Sequence, residues 1–224
     1  MAKCIYCKKG GWFQQVSSIG FCDACEYEHK PRLADSIRIL LSSQEIIDRS
    51  KKADTKLSRI SDARRHCLIL KDFETKGIST ITPAPSETLK QIDRVEREVI
   101  QSEISDAIFV ANQKAEDGNT DAAKLGGFNK GIDRLTKLMD YGEDVSETER
   151  AISRLRSGRD SLRAELLRRK AETWVAKGKH AKAVDVLIEA IMALRHDSTP
   201  DREQASILNA LQDRIVELGG APPK

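Results

Sequence analysis

Apolar residues recur every three or four positions along most of the chain, a spacing that predicts amphipathic helices. The first run begins at Pro31 and places these residues on one face: Leu33, Ile37, Leu40, Leu41 and Ile47. A break at 53–55 follows, where Asp54 or Thr55 can cap the next helix. The second run has its own apolar face: Leu57, Ile60, Ala63, Cys67 and Leu70. Because the joint is short, a helical hairpin is predicted over 31–76.

The pattern beyond this hairpin predicts a linker and then a larger helical domain. Prolines at 83 and 85 interrupt the helical spacing, so 77–85 is predicted to be an extended linker. Ser86 can cap a long helix that ends at the turn signal 117–119. Ser146 and Glu149 have the spacing of a capping box. Further helices are expected over 120–140, 146–177, 179–195 and 200–218. The predicted fold is all-α, an elongated set of hairpins or a bundle, with a helical domain over 86–218 and a tail at 219–224.

Four cysteines near the N-terminus follow a different spacing. Cys4 and Cys7 form one pair, Cys22 and Cys25 form another, and two residues separate the members of each pair. Two such turns can surround a zinc ion tetrahedrally, so a zinc ribbon over 1–30 with structural Zn²⁺ is predicted. Two disulfides are the alternative, which a reducing compartment disfavours. Because four thiolates leave no coordination position for water, the metal is expected to be structural.

Composition favours long, charged helices and does not point to a large sheet. Charged residues make up 33% of the chain and aromatic residues only 4%. The net charge of +3 is too small to require nucleic acid as a partner. No apolar run approaches the roughly 20 residues that span a bilayer, and no signal peptide precedes the cysteines. A cytoplasmic protein without a membrane partner is therefore expected.

The residues that could carry catalysis are scattered, so the chain is not expected to be an enzyme. The four histidines lie in separate predicted elements, although His29 is close enough in sequence to Cys25 to replace a metal ligand. Gly126 and Gly127 lack the Lys-Ser/Thr that a phosphate-binding loop needs. Cys67 lies on an apolar helix face, which favours a buried hydrophobe over a nucleophile.

Basic residues near aromatic ones raise the alternative of nucleic-acid binding by the ribbon and the first hairpin. The candidate contacts are Lys8, Lys9, Trp12, Lys51, Lys52 and Arg59. A second basic stretch runs from Arg154 to Lys170. Acidic residues interleave with both stretches, and the aromatic residues of a small ribbon can instead form its core. Solvated helix faces of mixed charge are therefore the competing interpretation.

The first 85 residues resemble a group of small bacterial and phage-associated proteins. The matching stretches are Gly20-Phe21-Cys22, 42–47, 54–59 and 77–78. Members of this group begin with such a ribbon and continue into a helical hairpin. The resemblance implies this architecture and no particular activity.

Residues 167–194 resemble a tetratricopeptide repeat. Gly178 matches the turn glycine of that family, and Ala171, Ala183 and Ala190 match its small residues. A further alanine falls 34 residues after Ala171, the period of the repeat. His180 departs from the pattern, because an aromatic residue is usual there. The resemblance implies binding of peptide segments from other proteins, and an ordinary helical hairpin is the alternative.

These observations together favour a non-catalytic adaptor or scaffold that acts through protein–protein contacts of its helices. Nucleic-acid binding is the alternative function. Self-association through the long amphipathic helices is the third option that the sequence leaves open.

Overall fold

The computed structural model describes residues 2–11, 15–141, 145–196 and 199–223. These residues form seven α helices and no strand, which confirms the predicted all-α fold. The helices are α1 (Asp23–Arg49), α2 (Ala53–Thr75), α3 (Pro85–Asp117), α4 (Asp121–Leu138), α5 (Ser146–Ala176), α6 (His180–Arg195) and α7 (Ala205–Glu217). A short 3-10 helix at Asp201–Glu203 precedes α7. No helix in the described ranges combines the length and apolar character needed to cross a membrane.

The chain divides into two compact units, Met1–Ser102 and Glu103–Lys224. The boundary falls within α3. The first unit contains the residues before α1 (called the cysteine segment below), α1, α2 and the first part of α3. The second unit contains the rest of α3 and the remaining helices. The finer boundaries at residues 30, 76, 85 and 218 stay predictions.

In the first unit, α1 and α2 pack against each other through their apolar faces. The buried residues of α1 are Cys25, Leu33, Ser36, Leu40, Ser43 and Ile47, and those of α2 are Leu57, Ile60, Ala63, Cys67, Leu70 and Phe73. The hairpin was predicted, but its first helix begins at Asp23 and not at Pro31. Pro31 lies inside α1 on an exposed position, where its ring points to solvent rather than to the core.

The expected caps of several helices are not formed. The residue before α2 is Lys52, and its side chain makes no capping hydrogen bond, so neither Asp54 nor Thr55 is the cap. The residue before α5 is Val145, so this helix begins at Ser146 itself, one residue earlier than the predicted capping box places its start. By contrast, the hydroxyl of Thr120 accepts a hydrogen bond from the backbone N–H of Ala123 and caps α4.

The start of α3 is tied to α2 by polar contacts. Ser86 donates from its backbone N–H (2.9 Å) and from its hydroxyl (2.7 Å) to the carboxylate of Glu74, so its side chain does not cap its own helix. Further along, Arg64 of α2 donates to Asp93 (2.9 Å) and to Glu96 (2.6 Å) of α3. These contacts all lie within the first unit.

In the second unit, α5 packs against α4 and α6, and α6 also packs against α7. The core of α5, α6 and α7 is aliphatic: Ala164, Ala171, Ala183, Val186, Leu187, Ala190, Ile191, Leu194, Leu208, Leu211 and Ile215. Gly178 joins α5 to α6 with φ of 69°, the left-handed conformation that glycine adopts readily. The turn glycine predicted from the repeat-like pattern is therefore present at this joint.

Candidate metal centre

A tight turn carries the first cysteine pair. The backbone N–H of Cys4 donates to the carbonyl of Lys9 at 2.9 Å, and that of Lys8 donates to the carbonyl of Cys4 at 2.9 Å. Lys8 has φ of 62°, in the left-handed region that residues with a side chain seldom adopt. An antiparallel bridge between Lys3 and Gly10 closes the base of the turn. The turn therefore presents Cys4 and Cys7 from one short loop.

The second cysteine pair belongs to the N-terminus of α1. Cys22 is the residue just before the helix, and Cys25 lies in its first turn. The unpaired N–H groups at a helix N-terminus carry partial positive charge, which stabilises nearby thiolates. The backbone N–H of Cys22 donates to Sγ of Cys4 at 3.3 Å. The start of α1 thus places two sulfurs and also supports the charge of a third.

The four sulfur atoms converge on one point. All four Sγ atoms lie within 4.8 Å of one another, and Sγ of Cys7 and Sγ of Cys22 are 3.9 Å apart. In a tetrahedral site with Zn–S bonds of about 2.3 Å, the sulfur atoms are about 3.8 Å apart. A disulfide needs about 2.05 Å, and all five cysteines are free thiols. The donor set therefore fits a tetrahedral, sulfur-binding metal ion.

Cys4 and Cys25, one from each pair, differ in how readily their thiols ionise. Burial opposes ionisation of Cys4, but hydrogen bonds from the backbone N–H groups of Cys7 and Cys22 lower its pKa to about 6. Burial raises the pKa of Cys25 to about 12, and hydrogen bonds with the Cys22 and Cys7 thiols add to this effect. A metal ion binds only the thiolate, so it must displace protons from this site.

A cluster of aromatic rings lies next to the sulfurs. The Tyr6 ring is 4.0 Å from the ring of His29 on α1 and 5.7 Å from that of Phe73 on α2, measured between centroids. Phe21 is fully buried in the same cluster. The ammonium group of Lys76 lies 3.9 Å from the centre of the Tyr6 ring. These contacts fasten the cysteine segment onto both helices of the hairpin.

His29, a candidate replacement ligand, contributes its ring to this aromatic cluster. The metal-ligand group found among the described residues consists of the four cysteines and does not include it. Phe73 was missing from the apolar face assigned to α2, although it continues that face three residues beyond Leu70. The role of Phe73 against Tyr6 has no signal in the sequence, because it depends on where the cysteine segment folds.

The candidate nucleic-acid contacts do not form one site. Lys8 and Lys9 are exposed on the first cysteine turn, and Lys51 and Lys52 are exposed at the joint between α1 and α2. These two positions are at opposite ends of α1, and a helix of 27 residues is about 40 Å long. Arg59 on α2 forms an ion pair with Asp62 at 3.2 Å. Trp12 lies outside the described residues.

Cys67, the fifth cysteine, is fully buried and donates a hydrogen bond from its thiol to the carbonyl of Pro85 at 3.3 Å. Burial raises its pKa to about 11, and the Glu74 carboxylate adds to this effect. The prediction of a buried side chain at this position is confirmed, and the thiol is poorly suited to act as a nucleophile.

Comparison with known proteins adds no family to this geometry. No protein-family model, no curated protein and no solved structure matches the chain. The resemblances to phage-associated proteins and to a tetratricopeptide repeat stay predictions. The metal centre is interpreted from its four sulfurs and the backbone that holds them.

Proposed function

We propose that the protein is a non-catalytic adaptor or scaffold whose N-terminal segment is held in place by a structural Zn²⁺ ion. The closed set of four cysteine sulfurs is the observation that carries this proposal. Zinc has no geometric preference of its own and is commonly bound by four thiolates in a tetrahedron. The reducing compartment expected for the chain keeps such thiols available to the ion.

A structural role agrees with how the ligands are held. Cys4, Cys22 and Cys25 are buried, and four sulfurs complete the coordination of zinc, so no position is left for a water or a substrate. The cysteine segment is also too short to bury much apolar surface, and binding of zinc can supply the missing free energy of folding. The ion therefore keeps the segment docked on the hairpin.

The helices of the hairpin supply surface for a protein partner. Leu41 on α1 is 57% exposed and Leu68 on α2 is 52% exposed. Apolar surface that a partner removes from water favours association of the two proteins. These two leucines are the positions at which the adaptor function can be tested without disturbing the core.

Metal content provides the first test. Protein purified without added metal is expected to contain one zinc per chain by mass spectrometry of the metals. Cys4→Ser should lower this stoichiometry, whereas Cys67→Ser should leave it unchanged because Cys67 is not among the converging sulfurs. Iron or no metal in the purified wild type would contradict the proposal.

The adaptor function is tested by a pull-down in which the zinc-loaded protein is incubated with nuclease-treated native lysate. Wild type is expected to retain a specific protein that the double variant Leu41→Lys/Leu68→Lys does not retain. Ser42→Lys/Ser58→Lys adds the same charge at exposed positions of the same helices and is the matched control. Equal retention by both variants would show that the hairpin leucines are not the contact surface. Loss of all retained protein after nuclease would contradict the adaptor function.

A further inference from the structure

Three lysines surround one tryptophan in the second unit. Trp174 lies in the last turn of α5, and the ammonium nitrogens of Lys177, Lys179 and Lys182 are 5.2, 5.3 and 5.2 Å from its ring centre. The lysines come from the end of α5, the Gly178 joint and the first turn of α6. The turn between the two helices therefore gathers three positive charges at one aromatic side chain.

These charges have little local compensation. Between 166 and 182 the sequence has six lysines and arginines and a single carboxylate, Glu172. Glu172 accepts hydrogen bonds from Arg214 of α7 at 3.0 and 2.9 Å, so its charge is already paired. Within the part of the chain that the structure describes, none of the three lysines around Trp174 forms an ion pair with a carboxylate. Positive charges gathered in this way favour binding of an anion.

The tryptophan also lines a concave surface. A pocket of about 370 Å³ lies beside it, and its cationic lining comprises Lys124 of α4 with Arg169, Lys170 and Lys177. Arg169 is paired with Glu165 at 3.0 Å, and Asp121 is the one acidic residue of the lining. The volume is at the lower end of the range for pockets that hold small organic groups, about 300–1,000 Å³. It suits one nucleotide unit rather than a folded domain.

We propose that the lysine–tryptophan site, formed by Trp174, Lys177, Lys179 and Lys182 together with the adjoining pocket, binds single-stranded nucleic acid. The lysine ammonium groups bind successive phosphates, since lysine acts as a point charge on a flexible stem that can follow a backbone. The Trp174 ring is half-buried against the aliphatic core of the second unit. The part of the ring that lines the pocket supplies the surface on which a base stacks as the lysines turn toward the phosphates. An acidic peptide would use the charges but has no group that requires the ring. A duplex would keep its bases stacked away from the ring.

This site differs from the candidate contacts at the cysteine turn and the α1–α2 joint, and it goes beyond the adaptor function. The test measures binding of a labelled oligothymidylate to the full-length, zinc-loaded protein by fluorescence anisotropy at several salt concentrations. The test variant is Lys177→Glu/Lys179→Glu/Lys182→Glu. The matched control is Arg32→Glu/Lys71→Glu/Arg94→Glu, which makes the same change of net charge at exposed positions of the first unit, away from every candidate contact.

The test variant is expected to bind about tenfold more weakly or worse, and the slope of log K against log salt should fall by about 2, the value for three phosphate contacts on a single strand. The control should keep the wild-type affinity within about twofold. Equal losses in both variants would overturn the proposal, because a general charge effect would then explain the binding. Circular dichroism of each variant checks that its helices are intact.

The fluorescence of Trp174 provides a second measurement, which reports stacking on its ring and does not respond to a general change of charge. In a Trp12→Phe background, Trp174 is the only tryptophan of the chain, and oligothymidylate should quench its emission. Trp174→Phe should keep the salt slope and weaken binding, because phenylalanine offers a smaller face. Unquenched emission would overturn the stacking contact. Displacement of the oligonucleotide by polyglutamate at equal charge concentration would assign the pocket to acidic peptides and overturn the proposal.

Discussion

At the scale of single residues, Gly20 connects the two halves of the metal centre. Its carbonyl accepts a hydrogen bond from the N–H of Ile5 at 2.8 Å, and its φ is 82°. A Cβ atom at this position would lie 2.7 Å from Cγ1 of Ile5. Both the backbone conformation and the space therefore require glycine here, two residues before Cys22.

We expect Gly20→Ala to destabilise the metal centre by about 3 kcal/mol, from the left-handed backbone and the overlap with Ile5 together. Chelator competition, followed as the rate and extent of zinc release, measures this effect. Gly178→Ala is the control, since Gly178 also has positive φ but its Cβ would meet no atom within 4 Å. This control should cost only about 1 kcal/mol in thermal or denaturant unfolding. Equal zinc release from Gly20→Ala and wild type would contradict the prediction.

The five thiols are expected to react in two groups. With zinc bound, none should react with a thiol reagent at neutral pH, because four are ligands and Cys67 is buried with a pKa of about 11. Chelation removes the ion that holds the four ligands together, so their surroundings should open and the burial that raises the pKa of Cys25 should be lost. These four thiols should then react, and the fifth only in denaturant. Reaction of five thiols after chelation alone would show that Cys67 is accessible in the fold.

The same thiol has a predictable effect on stability against pH. Because the folded pKa of Cys67 lies above its ordinary value, the protonated thiol stabilises the fold. This contribution is complete below the unfolded pKa of about 8.5 and is lost as the pH rises through about 11. Denaturant unfolding of Cys67→Ala should lack this alkaline loss when it is compared with the wild type.

At the scale of elements, one arginine joins α2 to α3. The Arg64 side chain is 14% exposed and that of Glu96 is 12% exposed, so this pair is largely removed from water. Asp93, which is more exposed, accepts from the same guanidinium. A buried pair of this kind fixes the packing of two helices even when its net contribution to stability is small.

Arg64→Ala is expected to destabilise the first unit by about 3–5 kcal/mol, because Glu96 is left buried without its partner. Arg38→Ala is the control: Arg38 pairs with Asp35 on an exposed surface of α1 and should cost less than about 1 kcal/mol. Denaturant unfolding measures both variants. In the double variant Arg64→Ala/Glu96→Gln, most of the lost free energy of unfolding should be recovered. Fully additive effects of the two substitutions would contradict a coupling between these side chains.

Hydrophobic spacing predicted the helical elements well, and local side-chain signals predicted their ends poorly. The ends of α4 and α6 lie within about two residues of the predicted ones. The apolar spacing predicts a helix start at Pro31, but α1 begins at Asp23 and holds this proline at an exposed position. Ser86 was expected to cap α3, but its hydroxyl bonds to Glu74 of α2, a partner twelve residues away. The spacing of apolar residues indicates which face of a helix is buried. The hydrogen-bond partner of a capping side chain depends on neighbouring elements, whose positions a single sequence does not show.

The same reasoning explains what could be predicted of the sites. Cysteine spacing alone identified the four converging sulfurs, because paired turns have one common geometry. The ring cluster of Tyr6 and Phe73 and the lysines around Trp174 were not predicted. The first needs a residue of the cysteine turn to meet one of α2, and the second needs residues on both sides of the α5–α6 joint to meet. Packing in three dimensions decides both contacts.

At the scale of the whole molecule, the two compact units make removal of the metal a local event. Chelation should expose the backbone amides of residues 2–11 and 15–30, together with those around Phe73, to hydrogen exchange. The backbone amides of residues 103–141, 145–196 and 199–223 should keep their protection from hydrogen exchange. Hydrogen exchange with mass spectrometry, on samples with and without a chelator, measures this difference. Loss of protection throughout the chain would show that the units do not fold separately.

Because α1 begins between Cys22 and Cys25, a metal ion held by these sulfurs would also fix the first turn of a helix of 27 residues. Forming that first turn is the unfavourable nucleation step of a helix. In the proposed zinc-bound form, the ion would act as a nucleation template for α1, and the stability of the hairpin built on α1 would depend on the free metal concentration. Above the dissociation constant, each tenfold rise in free zinc adds about 1.4 kcal/mol to the stability of the first unit. The surface that α1 offers to a partner would then be populated according to the zinc supply of the cell.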